Sequence, residues 1–360
     1  MKIASIIGTR PQFIKYGALS KELQKAHSDI LIHTGQHYDY QMNSVFFEQL
    51  GISEPDYNLG VGSGTHDFQV AEMLKGISDI FRAHNPDMIM LYGDTNSTLA
   101  GALAAVQLHI KAAHVEAGLR GFDKSTVEEV NRVVADYCSD LLFCPTQTAV
   151  LNLRRENITR GVYLTGDVMV DELNLSKEIA EKSYILENLG LTDRQYLLVT
   201  VHRSFNTDNR QSLENIVTAL KALGEMGENI VFPVHPRTEK ILKDFRLYDG
   251  LRERCRLLEP QGYFEFLKLM NHAKKILTDS GGVQKEAYIL RVPCITFREN
   301  TEWVETVEDG WNILVGTDVN KIIKTARSNE LSNKYFNYFG TGACKKIAQI
   351  IDKEEAALSG

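Results

Sequence analysis

Cysteine is scarce in the 360-residue sequence, and its five thiols are scattered with no CxxC pair: Cys138, Cys144, Cys255, Cys294 and Cys344. This pattern argues against a disulfide framework and offers no spacing typical of a metal site. We therefore expect reduced thiols in a cytoplasmic protein, each most simply a small buried apolar side chain. No metal ligand set is predicted.

Long apolar runs and a surplus of basic residues are also missing. Without such a run no membrane-spanning helix is predicted, and the apolar stretch in "MKIASIIGTRPQ" is too short for a signal peptide and fits a first strand better. The net charge of −7 argues against nucleic acid as the main partner, since phosphate neutralisation requires a basic surface.

Short apolar runs recur along the chain, and a helical pattern follows most of them. Runs such as "MIMLYGD" and "YLLVTVH" show no alternation, which is typical of strands buried on both faces of a parallel sheet. The sequence therefore predicts the α/β class with doubly wound sheets. About six strands fall on each side of residue 170, which predicts Rossmann-like domains over 1–170 and 171–340. Residues 341–360 form an amphipathic helix in this interpretation.

Polar and charged residues follow the predicted strands, where open α/β sheets bind ligands. Glu116 stands out because a carboxylate within an apolar strand is unfavourable unless it has a partner or a purpose. In the first half the candidates are Arg10, Lys15, Asp94, His114, Glu116, Glu128, Glu129 and Arg132, and in the second half they are His202, Arg203, His235, Arg237, Ser280, Gly281, Gly282 and Glu286.

The segment "TDSGGVQKEA" predicts a phosphate site. Ser280 is a good N-cap, and two glycines leave the N–H groups of the next helix open to an anion. Glu286, about a turn and a half further on, could then accept hydrogen bonds from sugar hydroxyls. A tight corner between strand and helix is an equally simple explanation of the glycines.

Structural explanations compete at the other positions as well. His114 could be a core histidine, Asp94 could cap a helix, and Glu128 with Arg132 could form a solvated pair. The first corner lacks G-x-G-x-x-G, which counts against a nicotinamide or flavin cofactor. No cofactor is predicted.

Taken together, the segments that follow the predicted strands, here called corners, resemble those of one family, the non-hydrolysing UDP-N-acetylglucosamine 2-epimerases. The motifs that carry the resemblance occur in the family's order: "GTRPQFIK", "TGQHYD", "YGDTNSTLAGALAA", "AHVEAGLR", "EEVNR", "PVHPRT", "EPQGYFEFLKLM" and "LTDSGGVQKEA". The resemblance implies a GT-B type fold, in which two Rossmann-like domains face a cleft and the last helix crosses back to the N-terminal domain. A homodimer is expected from the same resemblance.

The resemblance also implies a reaction. UDP-GlcNAc and UDP-ManNAc are interconverted by elimination of UDP, which leaves a 2-acetamidoglucal, and by re-addition of UDP, for surface polysaccharide or glycan precursors. The motif matches assign the acid/base roles to Asp94, Glu116 and Glu128. They assign assistance of the departing diphosphate to His202. Substrate binding is assigned in the same way: phosphate to Arg10, Lys15 and Ser280 to Gly282, uracil to Gln261 and Phe266, and ribose to Glu286. Arg132 is also counted among the substrate-binding residues.

Several departures from the family pattern leave alternatives open. Phe205 stands where an acid is usual, Gln12 replaces a common Glu, and Trp303 replaces a common Arg. "TEWVE…GW" resembles the branch that acts on UDP-2,3-diacetamido-2,3-dideoxy-glucuronate. Regulated bacterial relatives carry Q-H-x-x-M and a later Arg, whereas this chain has "GQHYDYQM" and "GVGSGTHDF", so substrate activation is not expected. A GT-B glycosyltransferase and a non-catalytic nucleotide-sugar binding protein are more distant alternatives.

Overall fold

The computed structural model describes residues 1–36, 51–328 and 334–358. The chain divides into two compact units. Unit 1 contains Met1–Glu172 and Tyr338–Gly360, and unit 2 contains Leu173–Asn337. The sequence placed the corresponding boundaries at residues 170 and 340.

Unit 1 is built on a parallel sheet of seven strands in the order β3-β2-β1-β4-β5-β6-β7. The strands are β1 Lys2–Ile7, β2 Ser28–His33, β3 Tyr57–Asn58, β4 Met88–Tyr92, β5 Lys111–Val115, β6 Leu141–Cys144 and β7 Val162–Leu164. The two-residue strand β3 lies just before the segment "GVGSGTHDF". It is absent from the sequence prediction, because a stretch this short carries no readable periodicity.

Helices connect these strands. They are α1 Arg10–Leu23, α2 His66–His84, α3 Asn96–Gln107, α4 Val127–Cys138 and α5 Gln147–Arg155. The division between the units falls within α6, Val168–Ala180.

Unit 2 repeats the architecture with six parallel strands in the order β10-β9-β8-β11-β12-β13. The strands are β8 Leu197–Thr200, β9 Ile230–Pro233, β10 Arg256–Leu258, β11 Lys275–Thr278, β12 Cys294–Thr296 and β13 Asn312–Leu314. The helices are α7 Ile185–Asn188, α8 Ser204–Thr207, α9 Arg210–Glu225, α10 Pro236–Asp244, α11 Tyr248–Arg252, α12 Tyr263–Asn271, α13 Gly281–Ile289, α14 Val304–Glu308 and α15 Val319–Arg327. The predicted α/β class with two parallel sheets is confirmed.

The central strands are buried along their whole length. Every residue of β4, β8 and β11 is buried. Parallel strands covered by helices on both faces need apolar side chains on both faces, which explains the continuous apolar runs in the sequence.

The last helix, α16 (Ala343–Leu358), packs against α1 within unit 1. Its apolar face buries Ile347 and Ile351. Asp171 holds its start, accepting hydrogen bonds from the N–H of Gly342 at 2.7 Å and of Cys344 at 2.8 Å. These bonds satisfy donors that a helix start otherwise leaves unpaired.

Strand order reverses once in each sheet, and these reversals locate the candidate site. In unit 1 the chain moves outward from β1 on one side and from β4 on the other, and in unit 2 from β8 and β11. Ligands of doubly wound sheets bind beyond the carboxyl ends of the strands at such switch points. The polar corners after β1, β4, β8 and β11 are therefore the candidate ligand-binding segments.

Candidate active site

The corner after β1 is tied to the corner after β4 by a single side chain. Gln12 on α1 is buried, and its Oε1 accepts hydrogen bonds from the N–H of Gly8 at 2.8 Å and of Thr9 at 3.1 Å. Its Nε2 donates to the carbonyl of Tyr92, the last residue of β4, at 2.8 Å. Arg10 begins α1 at this corner and is partly exposed.

Lys15 and Glu116 form an ion pair at the same switch point. Lys15 lies on α1 and is 7% exposed, and its ammonium binds Oε2 of Glu116, the residue that follows β5. Glu116 has a left-handed backbone with φ of +75°, which is uncommon for a residue other than glycine. Strain of this kind is concentrated at functional sites. The structure therefore brings these two predicted residues together.

Asp94 and Arg132 form a second ion pair. Arg132 on α4 binds Oδ2 of Asp94 through one nitrogen, and its Nη1 binds Oε2 of Glu129 at 2.8 Å. Asn131 donates to the backbone carbonyl of Asp94 at 3.0 Å, which fixes the corner after β4 to α4. The Asp94 side chain is 32% exposed. Asp94 is therefore anchored yet accessible.

The two glutamates in the first turn of α4 differ in their surroundings. Glu129 is buried and accepts hydrogen bonds from the backbone N–H of Gly121 at 2.9 Å and of Phe122 at 2.8 Å. Glu128 is only half-buried. Glu129 therefore holds the loop before α4, whereas Glu128 has the exposure that contact with a substrate needs.

His114 on β5 belongs to the core of unit 1. It is fully buried, its Nδ1 lies 2.7 Å from Oδ1 of Asp136, and its Nε2 lies 2.7 Å from the carbonyl oxygen of Gly93. Asp136 also accepts a hydrogen bond from Arg120 at 2.7 Å. These contacts fit the structural explanation of His114.

In unit 2, hydrogen bonds to a buried carboxylate connect the corner after β8 to the corner after β11. Asp279 is 0% exposed and accepts hydrogen bonds from the N–H of His202 at 3.1 Å and of Arg203 at 3.0 Å. Asn206 adds a third donor to Asp279 at 3.2 Å. The imidazole Nδ1 of His202 lies 3.7 Å from Oδ1 of the same carboxylate.

The His202 side chain is 40% exposed, yet the protein changes its acidity. Desolvation lowers the pKa of His202, and the positive charge of Arg203 and the neighbouring His235 lower it further, while Asp279 opposes them. Burial likewise lowers the pKa of His235, and Arg237 adds to that effect. Both imidazoles therefore favour the neutral form more than a free histidine does.

The Ser-Gly-Gly corner has the geometry of an anion site. Ser280 caps α13, its Oγ accepting from the N–H of Val283 at 3.5 Å. A methyl group at Gly281 would come within 2.2 Å of Oε1 of Glu302, so internal packing explains this glycine. At Gly282 the nearest atom would be 3.9 Å away, which leaves open space over the start of the helix.

The remaining predicted binding residues all lie in unit 2. Glu286 lies on α13 and is largely buried. Gln261 precedes α12, and Phe266 lies on that helix, half-buried. Both follow β10, an edge strand separated from β8 by β9. Contact of these side chains with uracil or ribose stays a prediction.

Two supporting residues were missed as contributors to the site: Gln12 and Asp279. Each lies within three residues of a predicted site residue, but sequence position does not reveal which polar neighbour turns inward. Asp279 directly follows β11, and Gln12 lies in the first turn of α1, but neither position separates structural from exposed groups.

Of the segment "GQHYDYQM", which differs from the Q-H-x-x-M pattern of regulated relatives, residues 37–42 lie outside the described residues. Within the described ranges, no group of three or more His, Cys, Asp or Glu side chains is arranged to hold a metal ion. No helix in those ranges is long and apolar enough to cross a membrane.

Comparison with known proteins identifies relatives along almost the whole chain. The family model described as UDP-N-acetylglucosamine 2-epimerase matches residues 21–352. The UDP-N-acetylglucosamine 2-epimerase homolog of Methanococcus maripaludis is 52% identical over 357 residues, which cover 98% of this chain and 99% of that protein. The UDP-2,3-diacetamido-2,3-dideoxy-D-glucuronate 2-epimerase of Pseudomonas aeruginosa is 42% identical, with coverage of 98% and 100%.

A solved structure gives the same result. The UDP-GlcNAc 2-epimerase of Methanocaldococcus jannaschii, crystallised in complex with UDP-GlcNAc and UDP, superposes with a TM-score of 0.92 at 45% identity. The similarity covers 98% of this chain and 100% of the other. The resemblance inferred from the motifs is thereby confirmed, and the chain belongs to the UDP-N-acetylglucosamine 2-epimerase family of isomerases.

Proposed function

We propose that this protein interconverts UDP-GlcNAc and UDP-ManNAc without hydrolysis. The observation that carries the proposal is the family match over residues 21–352, which includes β4, β8 and β11 and the polar segments that follow these strands. A relative crystallised with UDP-GlcNAc and UDP, at a TM-score of 0.92, adds support.

The proposed chemistry begins with elimination. A base removes the proton at carbon 2 of the sugar, the electron pair forms a C1–C2 double bond, and the C1–O bond breaks to release UDP. Protonation of the resulting 2-acetamidoglucal on the opposite face of carbon 2, with return of UDP to carbon 1, completes the inversion. The net reaction consumes nothing, and it needs one proton acceptor, one proton donor and stabilisation of the leaving diphosphate.

Unit 1 supplies the proposed acid and base. Asp94, Glu116 and Glu128 are the three carboxylates, and the first two are each paired with a cation, Arg132 and Lys15. The ion pairs hold these two carboxylates in fixed positions, as proton transfer to or from a bound sugar requires. The roles of base and acid are assigned to the set of three and not to its individual members.

Unit 2 supplies the proposed diphosphate site. The open N-terminus of α13 at Gly282 offers backbone N–H groups and the positive end of a helix dipole. His202, held by Asp279 through its backbone, assists the leaving group. In unit 1, Arg10 and Lys15 are the cations that the family motifs assign to phosphate.

Exchange of the carbon 2 proton with solvent tests the proposal directly. UDP-GlcNAc incubated with the enzyme in D2O is expected to return with deuterium at carbon 2, together with UDP-ManNAc, as measured by proton NMR. Recovered UDP-GlcNAc without deuterium, under conditions in which the folded protein binds UDP, would contradict the proposal.

The same reaction on UDP-2,3-diacetamido-2,3-dideoxy-glucuronate is a second candidate. The Pseudomonas aeruginosa relative of that name is 42% identical over almost the whole chain, and Arg298 in the segment before Trp303 pairs with Glu302 at 2.9 Å. An arginine is the group that a sugar carboxylate would require. Parallel assays of both sugars decide between the candidates by their kcat/KM values.

We also propose that the enzyme is a cytoplasmic homodimer that supplies precursors for surface polysaccharide or glycan synthesis. The outer face of α4 supports the dimer, because Val130 and Tyr137, seven residues apart and therefore on one face, are 45% and 61% exposed. Sedimentation equilibrium is expected to give the mass of two chains, and Tyr137→Glu is expected to give one. A wild-type protein that sediments as a single chain would contradict the dimer.

A further inference from the structure

Three buried amide side chains in unit 1 form a continuous chain of hydrogen bonds. Asn131 on α4 donates to Oδ1 of Asn96, the first residue of α3, at 3.1 Å. Asn96 in turn donates to Oε1 of Gln69 on α2 at 2.9 Å, and Gln69 donates to the carbonyl of Gly62 at 2.7 Å. Asn96 and Asn131 are 2% exposed and Gln69 is 7% exposed, so water hardly competes for these bonds. The chain of amides therefore connects three helices with the loop that precedes α2.

One end of this chain lies at Asp94. The NH2 group of Asn131 also donates to the backbone carbonyl of Asp94 at 3.0 Å, and the next residue of α4, Arg132, binds the Asp94 carboxylate. Asn96 follows Asp94 by two residues in the sequence. Asn131 therefore contacts both ends of the segment from Asp94 to Asn96 and holds them together. The position of Asp94 then depends on the position of Asn96.

The other end of the chain lies in the loop before α2. Gly62 has a left-handed backbone with φ of +73°, and its N–H donates at 2.9 Å to the carbonyl of Gly35 in the corner after β2. The N–H of the preceding residue, Val61, donates to the carbonyl of Thr34 at 3.1 Å. Strand β1 separates β2 from β4 in the sheet. The chain of amides therefore connects two corners whose strands are not neighbours.

The direction of each bond in the chain is fixed. The two hydrogens of the Asn96 NH2 group face Oε1 of Gln69 and Nδ1 of His66, which lies 3.0 Å away. If the Asn96 amide were turned over, its oxygen would face the Gln69 oxygen and its NH2 would face the NH2 of Asn131, so both contacts would be repulsive. Turning Gln69 over would likewise place its oxygen against the Gly62 carbonyl. A change at one amide is therefore expected to disturb the next one.

We infer that Asn96 and Gln69 are positioning residues for epimerisation, which hold Asp94 in place from the loop before α2. This inference rests on the proposed function, in which Asp94 belongs to the acid/base set. Proton transfer at carbon 2 requires precise placement of the carboxylate, and a displacement of about 1 Å can lower a rate by about 10²-fold. Without the Asn96 amide, Asn131 loses one of its two acceptors, and the segment from Asp94 to Asn96 is free to relax.

Asn96→Leu removes the amide and keeps a side chain of similar size. It is expected to lower kcat by about tenfold or more, because Asp94 loses its fixed position. The Kd of UDP, whose proposed contacts lie mainly in unit 2, is expected to stay within about twofold of the wild-type value in calorimetry. An unchanged kcat would overturn the inference, and so would a loss of kcat matched by an equal loss of UDP affinity.

Gln69→Leu acts at a greater distance, since Asn96 and Asn131 lie between Gln69 and Asp94 in the chain. It leaves the bond between the two asparagines intact and is expected to lower kcat by about threefold to tenfold. This variant keeps the inference testable if Asn96→Leu does not fold. An unchanged kcat in Gln69→Leu would overturn the coupling of Asp94 to the loop.

The double variant Asn96→Leu/Gln69→Leu distinguishes one chain from two independent effects. If Gln69 acts through Asn96, its replacement has no further effect once the Asn96 amide is gone. The kcat of the double variant should then stay within about twofold of that of Asn96→Leu. Losses of kcat that multiply in the double variant would overturn the inference.

Ile77→Ala is the matched control for a loosened α2. Ile77 lies on the same helix about two turns after Gln69, and it is fully buried in the apolar core of unit 1. Its replacement is expected to lower the unfolding temperature at least as much as Gln69→Leu does. At temperatures where both variants are folded, the kcat of Ile77→Ala should stay within about twofold of the wild type. A loss of kcat as large as that of Gln69→Leu would show a general effect of α2 and overturn the inference.

A measurement without substrate separates failure of the proposed function from failure of the chain. In Asn96→Leu and in Gln69→Leu, peptides that contain Val61 and Gly62 are expected to exchange backbone hydrogen for deuterium faster than in the wild type, as mass spectrometry can show. The reason is that Gln69 is either lost or deprived of the partner that orients it. If the wild type exchanges no deuterium into carbon 2 of either sugar, the proposed function fails and the positioning role fails with it, even if the loop exchanges faster. Unchanged exchange of the loop in both variants overturns the chain alone.

Discussion

The carboxylate of Asp279 receives the backbone N–H of His202 at 3.1 Å while the imidazole of His202 stays 40% exposed. Asp279 thus fixes the corner after β8 by accepting from its backbone, and it leaves the imidazole ring of His202 available to a ligand. One buried acid thereby connects the helix start at Gly281 with the histidine assigned to the diphosphate.

Replacement of Asp279 by Asn is expected to lower the pKa of His202 further. Asp279 is the group that opposes desolvation, Arg203 and His235, and its negative charge is lost in the variant. A downward shift of the imidazole titration is expected when it is followed by NMR. Asp208→Asn, which removes an exposed carboxylate bound to Arg237 at 2.6 Å, serves as the control and should leave His202 unchanged. Equal titration of His202 in both variants would contradict the assignment.

Acid is expected to destabilise the protein through His202 and His235. Both have a folded pKa below the ordinary value, so the unfolded chain binds protons first as pH falls. Stability should therefore decrease from about pH 6.5 downward until the lowered folded pKa values are reached. Urea midpoints measured between pH 8 and pH 5 should show this decrease, and the double variant His202→Gln/His235→Gln should reduce it. Equal slopes would contradict the prediction.

Alanine at Gly281 and at Gly282 should have opposite effects. A methyl group at Gly281 meets Oε1 of Glu302, whose pairing with Arg298 at 2.9 Å limits its movement, so Gly281→Ala should lower the unfolding temperature. Gly282→Ala meets nothing within 3.9 Å and should stabilise the folded protein slightly, by about 0.5 kcal/mol.

If the phosphate lies over Gly282, however, the added methyl group excludes it, and calorimetry should show UDP binding about tenfold weaker or worse in Gly282→Ala. Unchanged UDP affinity in that variant would place the anion elsewhere.

Variants of the Lys15–Glu116 pair can distinguish the cost of an unpaired buried charge from the loss of proton transfer. Glu116→Gln leaves a buried ammonium without its partner and should lower the free energy of unfolding by about 3 kcal/mol. It should also lower kcat by about 10²-fold to 10⁴-fold if Glu116 transfers a proton.

Lys15→Met/Glu116→Gln removes both charges and should recover most of the stability in urea unfolding without recovering turnover. Recovery of turnover together with stability would mean that Glu116 acts only in folding.

Four of the five thiols should resist alkylation in the folded protein. Burial raises the pKa of Cys255 and Cys294 to about 12, and it raises the pKa of the buried Cys144 and Cys344 as well. Cys138, partly exposed at the end of α4, should react first with iodoacetamide, as mass spectrometry can show. Rapid labelling of the other four before unfolding would contradict this.

Much of the architecture could be read from local patterns. Continuous apolar runs predicted the central strands, since a strand covered on both faces must be apolar on both faces. The positions of charged residues after those runs predicted the corners, because parallel strands present their carboxyl ends at one edge of a sheet. The two-residue strand β3 escaped prediction because its pairing to β2 depends on the sheet and not on its own composition.

The sequence alone also does not distinguish the structural roles of adjacent residues of the same type. Glu128 and Glu129 are indistinguishable in the motif "VEEVNR", yet one is buried against two backbone N–H groups and the other is half-exposed. Which way each side chain points follows from how α4 packs on its neighbours, and a list of residues does not contain that information.

Local sequence therefore encoded the order of the buried strands, the helices between them and the glycine pair that begins α13, because backbone periodicity and the missing side chain of glycine act over a few residues. The partners of the charged groups depended on the assembled fold: Lys15 with Glu116, Arg132 with Asp94, and Gln12 with Tyr92. Each of these pairs joins segments 38 or more residues apart in the chain, and only the closing of the sheet brings them within hydrogen-bonding distance.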